Sequence, residues 1–444
     1  TGGTLIMNGD LAGGNDMLRA DTMSGNGSYN IVLNNTDSGK ELPYDELKRL
    51  IEIGKIQDGS QPNFTLYAGN DSVNPNNPNN PNNPNNPNNP NNPNNPNNPN
   101  NPNNPNKGKT DQGAHKVNVV TRKDPKTGKT IVALVTDTSQ TSRSADAVMA
   151  LASAPQYIFD GEMQSLRSRR GDIQQTTGGE GGVWGRYLHN STDVRAGAGA
   201  DYRLGQNGME LGGDKVIDLS NGDRLAIGAL TSFSKSSVKQ HGDSSQVSSY
   251  GAGLYATWLN STGVYVDGVV KYNHFSNELR THTDRGQAVH GSYDQNGYGA
   301  SLEAGWQYMA GYGISIDPYA RVSYFAAQGK NIELSNGLKA DIGTQKSAKG
   351  ELGVSVGKTF DVRNVSLRPY ATAAVEQEFM KDSKVTFNDR YDYKNDQSGT
   401  TGKYGLGLTA QLTPNASVFA EADYRKGKKV ESPLMANVGF RVNF

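Results

Sequence analysis

The final segment of the chain, residues 434–444, alternates apolar side chains with polar or small ones and ends on a phenylalanine. Successive side chains of a β-strand point to opposite faces, so this segment predicts a strand with one apolar and one polar face. The apolar face would carry Leu434, Ala436, Val438, Phe440, Val442 and Phe444. A soluble sandwich with one buried face produces the same alternation, so this segment alone does not decide what surrounds the strand.

The same alternation recurs through the C-terminal part of the chain. In each segment one set of alternate positions, here called one parity, carries the charges, and the other set is almost free of them. Short polar turns separate these segments at 260–263, 310–312, 361–364 and 413–415, and long polar loops separate them around 239–246, 281–292, 331–343 and 382–398. Tight turns at one end and long loops at the other are typical of outer-membrane β-barrels, which have an even number of strands. We count about twelve strands from Val183 onward and predict an all-β fold, a transmembrane antiparallel β-barrel.

The polar parity of such a barrel faces its lumen, and here that parity carries charges of both signs. Lumen-facing positions are predicted at Glu303, Asp317, Arg321, Arg368, Glu376, Arg425 and Arg441, with Asp267, Lys271, Glu351, Glu421 and Asp423 on the same parity. Several glycines share these positions, which either leave room for an occupant of the lumen or mark bends in the strands. The lipid-facing parity offers candidates for interfacial aromatic girdles at Trp258, Tyr272, Tyr308, Tyr324 and Phe444.

Composition argues against several classes of partner and cofactor. Basic and acidic residues number 44 each, so the chain has no net field that would attract nucleic acid. The absence of cysteine rules out disulfides and thiolate metal sites. No run approaches the roughly 18 apolar residues of a spanning helix, but a mean hydropathy of −0.70 is compatible with half-apolar barrel strands. The chain opens without a secretory signal, so we expect a fragment or a mature C-terminal piece.

The N-terminal part has a different sequence pattern, with shorter strand-like segments. Residues 1–40 contain short strand-like segments separated by Gly, Asn and Asp turns, as expected for rungs of a β-solenoid. Apolar residues at near-helical spacing predict a short amphipathic helix over 41–57.

Residues 75–106 form a Pro-Asn-Asn repeat that cannot bury apolar surface, so we interpret it as a disordered, semi-stiff spacer. Strands are predicted at 64–67 before the repeat and at 117–120 and 130–135 after it, the last two joined by a turn at 124–128. The repeat is therefore expected to be an expanded loop within one small β unit.

A helix is predicted to begin near Ser142 or Ser144, to be interrupted at Pro155, and to continue in a second stretch toward Gly171. Its small residues and the basic residues near its C-terminal end suit a slender helix inside a charged lumen. The alternative is a surface helix packed on the outside of the barrel.

Together these features resemble the C-terminal part of a classical autotransporter of the type V secretion family, and in particular the AIDA-type self-associating adhesins. The resemblance is carried by residues 163–167, by the barrel opening Val183, Trp184, Gly185 and Arg186, by the turn-and-strand pattern, and by the end 440–444. It implies a passenger β-helix end with the first part of an autochaperone-like region at 1–74, the spacer at 75–106, the second part of that region at 107–140, a pore-spanning helix and linker at 141–178, and the barrel at 179–444.

The resemblance also implies how such a barrel is made and what it does. Barrel assembly machinery would insert it into the outer membrane by reading Phe440, Val442 and Phe444, after delivery by periplasmic chaperones. The chain would then secrete and display its own N-terminal passenger at the cell surface, where host or neighbouring-cell surfaces are potential partners. No cofactor, metal or nucleic acid is implied.

Some members of the family cut their own passenger inside the pore, and Asp160 and Glu162 are the candidate carboxylates for that reaction here. Five residues with ligating side chains also lie in or beside one predicted loop: His274, His282, Asp284, His290 and Asp294. Their spacing matches no usual metal geometry, so solvated loop residues are the better interpretation.

We therefore expect a translocator that requires no catalysis. A surface adhesin that promotes cell aggregation, with the barrel only as its anchor, is one alternative. A diffusion pore or a barrel enzyme is another. Solenoid rungs before the barrel favour either of the first two, whereas an open lumen or a catalytic pair would favour the third.

Overall fold

A computed structural model of the chain describes residues 2–36, 38–42, 48–68, 110–163, 180–195, 200–284 and 286–444. No helix in these ranges combines the length and the apolar character needed to cross a lipid bilayer.

The N-terminal part forms stacked parallel strands. Its strands are β1 (Gly3–Gly9), β2 (Leu18–Met23), β3 (Ser28–Asn35), β4 (Lys48–Ile56) and β5 (Asn63–Ala68). β1, β3 and β5 pair in parallel, and so do β2 and β4. The chain thus returns to the same position on each turn, as the prediction of solenoid rungs requires, and its core is built by apolar side chains such as Ile31, Leu33 and Leu66.

The predicted helix over 41–57 is wrong for the residues that the structure describes, because 48–56 form β4; residues 43–47 of that prediction lie outside the described ranges. β4 hydrogen-bonds to strands on both edges and buries Leu50, Ile51 and Ile53. A short apolar run fits a buried strand as well as a helix, and here tertiary pairing decides.

Three antiparallel strands follow, β6 (Thr110–Gln112), β7 (His115–Lys123) and β8 (Thr130–Thr141), and β8 continues the sheet of β4. The predicted turn at 124–128 is confirmed between β7 and β8. The repeat lies outside the described residues, and the strands on its two sides belong to different sheets, β5 with β3 and β6 with β7.

One helix, α1 (Arg143–Glu162), begins directly after β8. Ser142 is its N-cap and accepts a hydrogen bond from the backbone of Ala145 at 3.2 Å. The expected interruption at Pro155 does not occur, because α1 is enclosed by the barrel and its contacts there offset the lost backbone hydrogen bond. Residues 156–162, on the far side of Pro155, continue α1, and residues 164–171 of the prediction lie outside the described residues.

The remaining strands are β9 (Gly181–Val194), β10 (Tyr202–Asp218), β11 (Arg224–Gln240), β12 (Asp243–Leu259), β13 (Val264–His282), β14 (Ala288–Trp306), β15 (Tyr308–Gly311), β16 (Ile314–Ala327), β17 (Lys330–Glu333), β18 (Lys339–Ile342), β19 (Gln345–Lys358), β20 (Phe360–Val362), β21 (Val365–Glu378), β22 (Lys384–Phe387), β23 (Tyr391–Lys394), β24 (Gly399–Thr413), β25 (Ala416–Gly427) and β26 (Val430–Asn443).

Twelve of these strands close an antiparallel barrel, which confirms the predicted fold class. In order around the barrel they are β9 to β14, β16, β19, β21, β24, β25 and β26, with β26 pairing back to β9. β15 and β20 extend two of the short turns at one end.

The long loops at the other end differ from the prediction. Residues 239–246 hold a tight turn at His241 and Gly242, both with positive φ, because the polar segment on either side continues as strand. The loops at 331–343 and 382–398 contain the hairpins β17–β18 and β22–β23, which form one four-stranded sheet around buried side chains such as Leu338 and Phe387.

Candidate functional site: the barrel lumen and its helix

α1 lies inside the barrel with nearly all of its residues buried. Phe159 stacks on Phe325 with ring centroids 4.6 Å apart and occupies the space over Gly299, where a Cβ would come within 2.1 Å of its ring. A Cβ on Gly161 would come within 2.0 Å of Gln206. Small residues on both the helix and the wall therefore permit the close fit.

Glu162, the last residue of α1, is held by a buried polar cluster. Its carboxylate accepts hydrogen bonds from Lys271 Nζ at 2.9 Å, Asn273 Nδ2 at 2.7 Å and Ser234 Oγ at 3.0 Å. The side chains of Glu162 and Lys271 are both 0% exposed. A buried charge persists only with compensation of this kind, so the pair fixes the depth of α1 in the lumen.

Arg186, from the sequence that opens the barrel, reaches the same cluster from β9. Its Nη2 donates to the backbone carbonyl of Glu162 at 2.5 Å, and it forms a buried ion pair with Glu210 at 3.4 Å. Gln206 of β10 donates to the carbonyl of Ile158 at 3.0 Å. The first two barrel strands thus provide donors for the last turn of the helix.

Asp160 points toward a separate part of the wall. Its carboxylate pairs with Lys349 of β19 and lies 3.9 Å from Arg425, which itself pairs with Glu376 at 3.3 Å. Ion pairs from well-separated strands therefore hold the same helical turn.

The two carboxylates predicted as self-cleavage candidates thus both hold ion pairs. A general base needs a lone pair directed at a water or a reacting group, and three donors already engage Glu162. Self-cleavage by Asp160 and Glu162 stays a prediction, and the contacts give both residues a role as anchors of α1.

The other predicted lumen residues are buried or half-buried on the polar face of their strands, with partners on the next strand or the next but one around the barrel. The pairs are Arg368 with Asp317 at 2.9 Å, Arg321 with Glu351 at 3.2 Å, Glu303 with Tyr265 at 2.8 Å, and Arg441 with Asp214 at 2.6 Å. Charges of opposite sign therefore neutralise each other within the wall.

The two motifs at the beginning and end of the barrel meet where it closes. β26 pairs with β9 so that Val442 lies opposite Val183 and Arg441 lies opposite Trp184. Arg441 donates two hydrogen bonds to the carboxylate of Asp214, at 2.6 and 2.8 Å. Their side chains are 1% and 0% exposed.

Tyr255 extends this contact across the wall. Its hydroxyl donates to Asp214 at 2.7 Å and accepts from Trp184 Nε1 at 2.8 Å. The network joins strands β9, β10, β12 and β26, so the closing seam is cross-linked by side chains as well as by backbone hydrogen bonds.

Glycines on the lumen side leave hollows that aromatic rings of the wall itself fill. A Cβ on these glycines would come within 2.1 to 2.7 Å of a ring atom. The pairs are Trp184 over Gly212, Tyr255 over Gly228, Tyr265 over Gly305, Tyr319 over Gly353, Tyr370 over Gly407 and Phe419 over Gly439. The room that the glycines predicted is thus shared between α1 and the wall.

The opposite parity of the strands forms an exposed apolar belt. Val183, Phe440, Val442 and Phe444 belong to it, and Phe444 is 70% exposed. Four of the predicted girdle aromatics also point outward: Tyr272, Tyr308, Tyr324 and Phe444. Trp258 is half-buried and donates to Asp223 at 3.2 Å.

The five loop residues considered for a metal site do not converge. His282 contacts Asp243 at 2.6 Å, and His274 contacts Asn296 at 3.1 Å. Among the described residues, no group of three or more His, Asp or Glu side chains could hold a metal ion.

A polar cavity of about 320 Å³ remains beside α1, on the side of β21, β24 and β25. Tyr157 lines it from the helix, and Lys349, Glu376 and Arg425 line it from the wall. The helix therefore occupies one side of the lumen and does not fill all of it.

Sequence reasoning missed the partners that make this site. Lys271 is among the predicted lumen residues, but its contact with Glu162 joins residues 109 positions apart. Glu210 and Asp214 are not among the predicted lumen residues, although Gln206, Gly208, Glu210, Gly212 and Asp214 alternate with other residues along β10. Its glycines weakened the signal.

Residues 183–423 match the family model described as the autotransporter beta-domain. The chain is 52% identical over 305 residues to "Autotransporter CRAC" of Citrobacter rodentium, covering 68% of this chain and 19% of that protein. It is 48% identical over 306 residues to "Autotransporter adhesin/invasin TibA" of Escherichia coli O78:H11, covering 69% and 31%. The chain thus spans less than a third of the length of either relative.

Solved structures show the same fold at lower identity. The β-domain of the Bordetella autotransporter Brka matches with a TM-score of 0.52 and 23% identity, over 60% of this chain and 100% of that one. The transport unit of AIDA-I from Escherichia coli matches with a TM-score of 0.52 and 17% identity, over 67% and 99%. The model match over more than half of the chain, together with these relatives, shows that the chain belongs to the autotransporter family and that its β-domain is an outer-membrane barrel.

Proposed function

We propose that the chain is the translocator of an autotransporter, which secretes its own N-terminal passenger and displays it at the cell surface. The observation that carries this proposal is the uninterrupted path from the β6–β8 sheet through Ser142 into α1, which lies in the lumen. A helix left in the pore in this way supports a chain that has passed through the barrel. The ion pairs of Asp160 and Glu162 would then hold it as the plug.

The test is display of the N-terminus on intact cells. An epitope tag placed before Thr1 should be removed by external protease, while the barrel stays resistant because its backbone is paired in lipid. A tag that stays protected on cells whose barrel has folded would contradict secretion. The matched control is the same tag on cells opened before the protease is added.

Beyond secretion, the N-terminal solenoid is proposed to act in adhesion at the cell surface. One relative is described as an adhesin/invasin, and the solenoid strands at 3–68 support an elongated passenger. Aggregation of cells that display this chain, compared with cells that display residues 141–444 alone, tests whether residues 1–140 carry adhesion. Equal aggregation by both would place adhesion outside residues 1–140.

Recognition by barrel assembly machinery is proposed for the outward face of the last strand. Phe440, Val442 and Phe444 are all exposed there. Phe444→Ser should lower the amount of folded barrel in the outer membrane, whereas Phe360→Ser, at another exposed aromatic, should not. Equal losses in both would indicate a general loss of lipid-facing area instead of a signal.

A further inference from the structure

The base of the passenger contacts the rim of the barrel. We define the base as residues 38–41 and 110–116, and the rim as residues 283–284, 334–338 and 387–393, which connect barrel strands at the end with the longer loops. Contacts between these two sets involve three separate rim connections, so the base sits across the mouth and does not lean on one side of it.

The centre of the contact is a buried group of charges. Lys116 of the base pairs with Asp284 of the rim and with Asp111 at 2.6 Å. Asp284 also pairs with Arg143, the first residue of α1, at 3.0 Å, and its backbone N–H donates to Asp111 at 3.0 Å. One rim carboxylate thus joins the base and the helix.

Charges at this interface support each other. Burial raises the pKa of Asp111 above its ordinary value, and Lys116 offsets this only in part. Burial alone would lower the pKa of Lys116, but the carboxylates of Asp111 and Asp284 outweigh it and hold that pKa above its ordinary value. Lys116 therefore stays charged, and removal of a carboxylate leaves it poorly compensated.

A second contact is made by His115, whose side chain is 0% exposed. Its ring lies edge-on to Tyr391 at a centroid distance of 4.3 Å and hydrogen-bonds the hydroxyl of Tyr393. The same hydroxyl donates to the carbonyl of Thr138 at 3.2 Å. The β22–β23 hairpin thereby holds both β7 and β8.

A third contact uses the backbone of the solenoid. The N–H of Gly39 donates to the carbonyl of Asn336 at 2.7 Å, and Asn388 donates to the carbonyl of Gly39 at 2.9 Å and to Glu41 at 2.8 Å. A Cβ on Gly39 would come within 1.9 Å of the Leu338 backbone. Only glycine fits at this position.

The base is also tied to the start of the helix. The N–H of Ser142 donates to the carbonyl of Ala114 at 2.8 Å, and its hydroxyl donates to the carbonyl of Gly113 at 2.9 Å. With no linker between β8 and α1, the position of the base sets the position of the helix along the pore.

We propose that the rim is a docking surface for the folded base of the passenger, and that docking stops the secreted chain from sliding back and holds α1 at its depth in the lumen. The interface requires the folded β6–β7 turn, because Asp111, His115 and Lys116 converge only there. It rests on the proposed function in one respect, namely that the base lies outside the cell.

The experiment uses the absence of native cysteine. Ala114, which is fully buried beneath the rim, is changed to Ala114→Cys in the full chain, and a membrane-impermeant maleimide is applied to intact cells. Lys126→Cys, on the exposed β7–β8 turn of the same sheet, is the matched control. We expect slow labelling of the first and fast labelling of the second.

Docking is then weakened from each side. Asp284→Asn acts on the rim and Gly39→Val on the base, and each should speed labelling of Ala114→Cys by roughly tenfold or more, while Gly3→Val, at an open position, should not. Two results would overturn the proposal. One is that, without a docking substitution, Ala114→Cys is labelled as fast as Lys126→Cys. The other is that labelling of Ala114→Cys stays slow in both docking variants. If the epitope tag before Thr1 is not accessible to external protease on cells that carry the chain without docking substitutions, that result counts against secretion itself.

Discussion

At the scale of residues, the lumen is organised by pairs of opposite charge that join different strands or join the helix to a strand. A buried ion pair adds little stability compared with apolar side chains of the same size, but loss of one partner is costly. Such pairs therefore favour one arrangement over others. Glu162 with Lys271 does this for the helix, and Arg441 with Asp214 does it for the closing seam.

The helix anchor makes a direct prediction. Lys271→Met keeps the length of the side chain but leaves Glu162 buried without its cation, which should cost about 3–5 kcal/mol. Hydrogen exchange of the amides of α1 should become at least roughly a hundredfold faster, because the helix leaves its site more often. The measurement is exchange followed by mass spectrometry on the purified barrel.

An exposed pair provides the control for that experiment. Lys426 pairs with Glu431 at 2.6 Å, but its side chain is 55% exposed, so Lys426→Met should leave exchange of α1 unchanged. Glu162→Gln combined with Lys271→Met should recover much of the protection, since neither charge then remains unpaired. Protection of α1 that is unaffected by Lys271→Met would show that the anchor does not hold the helix.

The glycine hollows make a second prediction. Gly407→Ala would place a Cβ 2.1 Å from the Tyr370 ring and should lower the yield of folded barrel, because the ring must then leave its packed position. Gly268→Ala, whose Cβ would lie 3.8 Å from Leu302, should fold normally. Heat-dependent mobility on gels measures the folded fraction, and equal fractions for the two variants would show that the hollow over Gly407 is not needed for folding.

Side-chain parity could be predicted from the sequence because a strand places alternate residues on alternate faces, and residues such as Glu303 and Arg368 are indeed buried. Their partners could not be predicted. A contact such as Arg441 with Asp214 depends on how twelve strands curve and on which residues then meet across 227 positions, and alternation contains no such information.

At the scale of elements, local patterns predicted strands well where tertiary pairing agreed with them. They failed at 48–56, where apolar spacing fits a helix but two neighbouring strands capture the segment as β4. They also failed in the predicted loops at 331–343 and 382–398. The sequence there is mostly polar, yet it forms hairpins. Their few apolar residues, among them Ile342 and Val385, are buried against each other.

The seam between β9 and β26 gives a prediction at this scale. Arg441→Met leaves Asp214 buried without its charge partner and should lower the denaturant concentration at which the barrel unfolds, by a loss of about 3–5 kcal/mol. Asp214→Asn in addition should restore part of that loss. Arg203→Met, which removes an exposed pair with Asp193, should change it little.

If the Arg441→Met barrel unfolds at the same denaturant concentration as the unsubstituted barrel, backbone pairing alone closes the seam. A fall of equal size in the Arg203→Met barrel would show that surface charge, and not the seam, controls unfolding.

At the scale of the whole molecule, one chain runs from a solenoid through a docked sheet into a helix and then closes a barrel around that helix. The order of these parts could be predicted from texture changes along the sequence and from resemblance to the family. The contact of the base with the rim could not, because Lys116 and Asp284 lie in unrelated segments whose proximity depends on the path of α1.

The proposed role of α1 is to plug the translocation pore, and single-channel conductance in planar bilayers measures whether it does. The full chain should conduct weakly, through the polar cavity beside the helix, and a chain that begins at Glu180 should conduct strongly, because the lumen is then empty. Large and equal conductance from both chains would contradict the plug and would favour a diffusion pore.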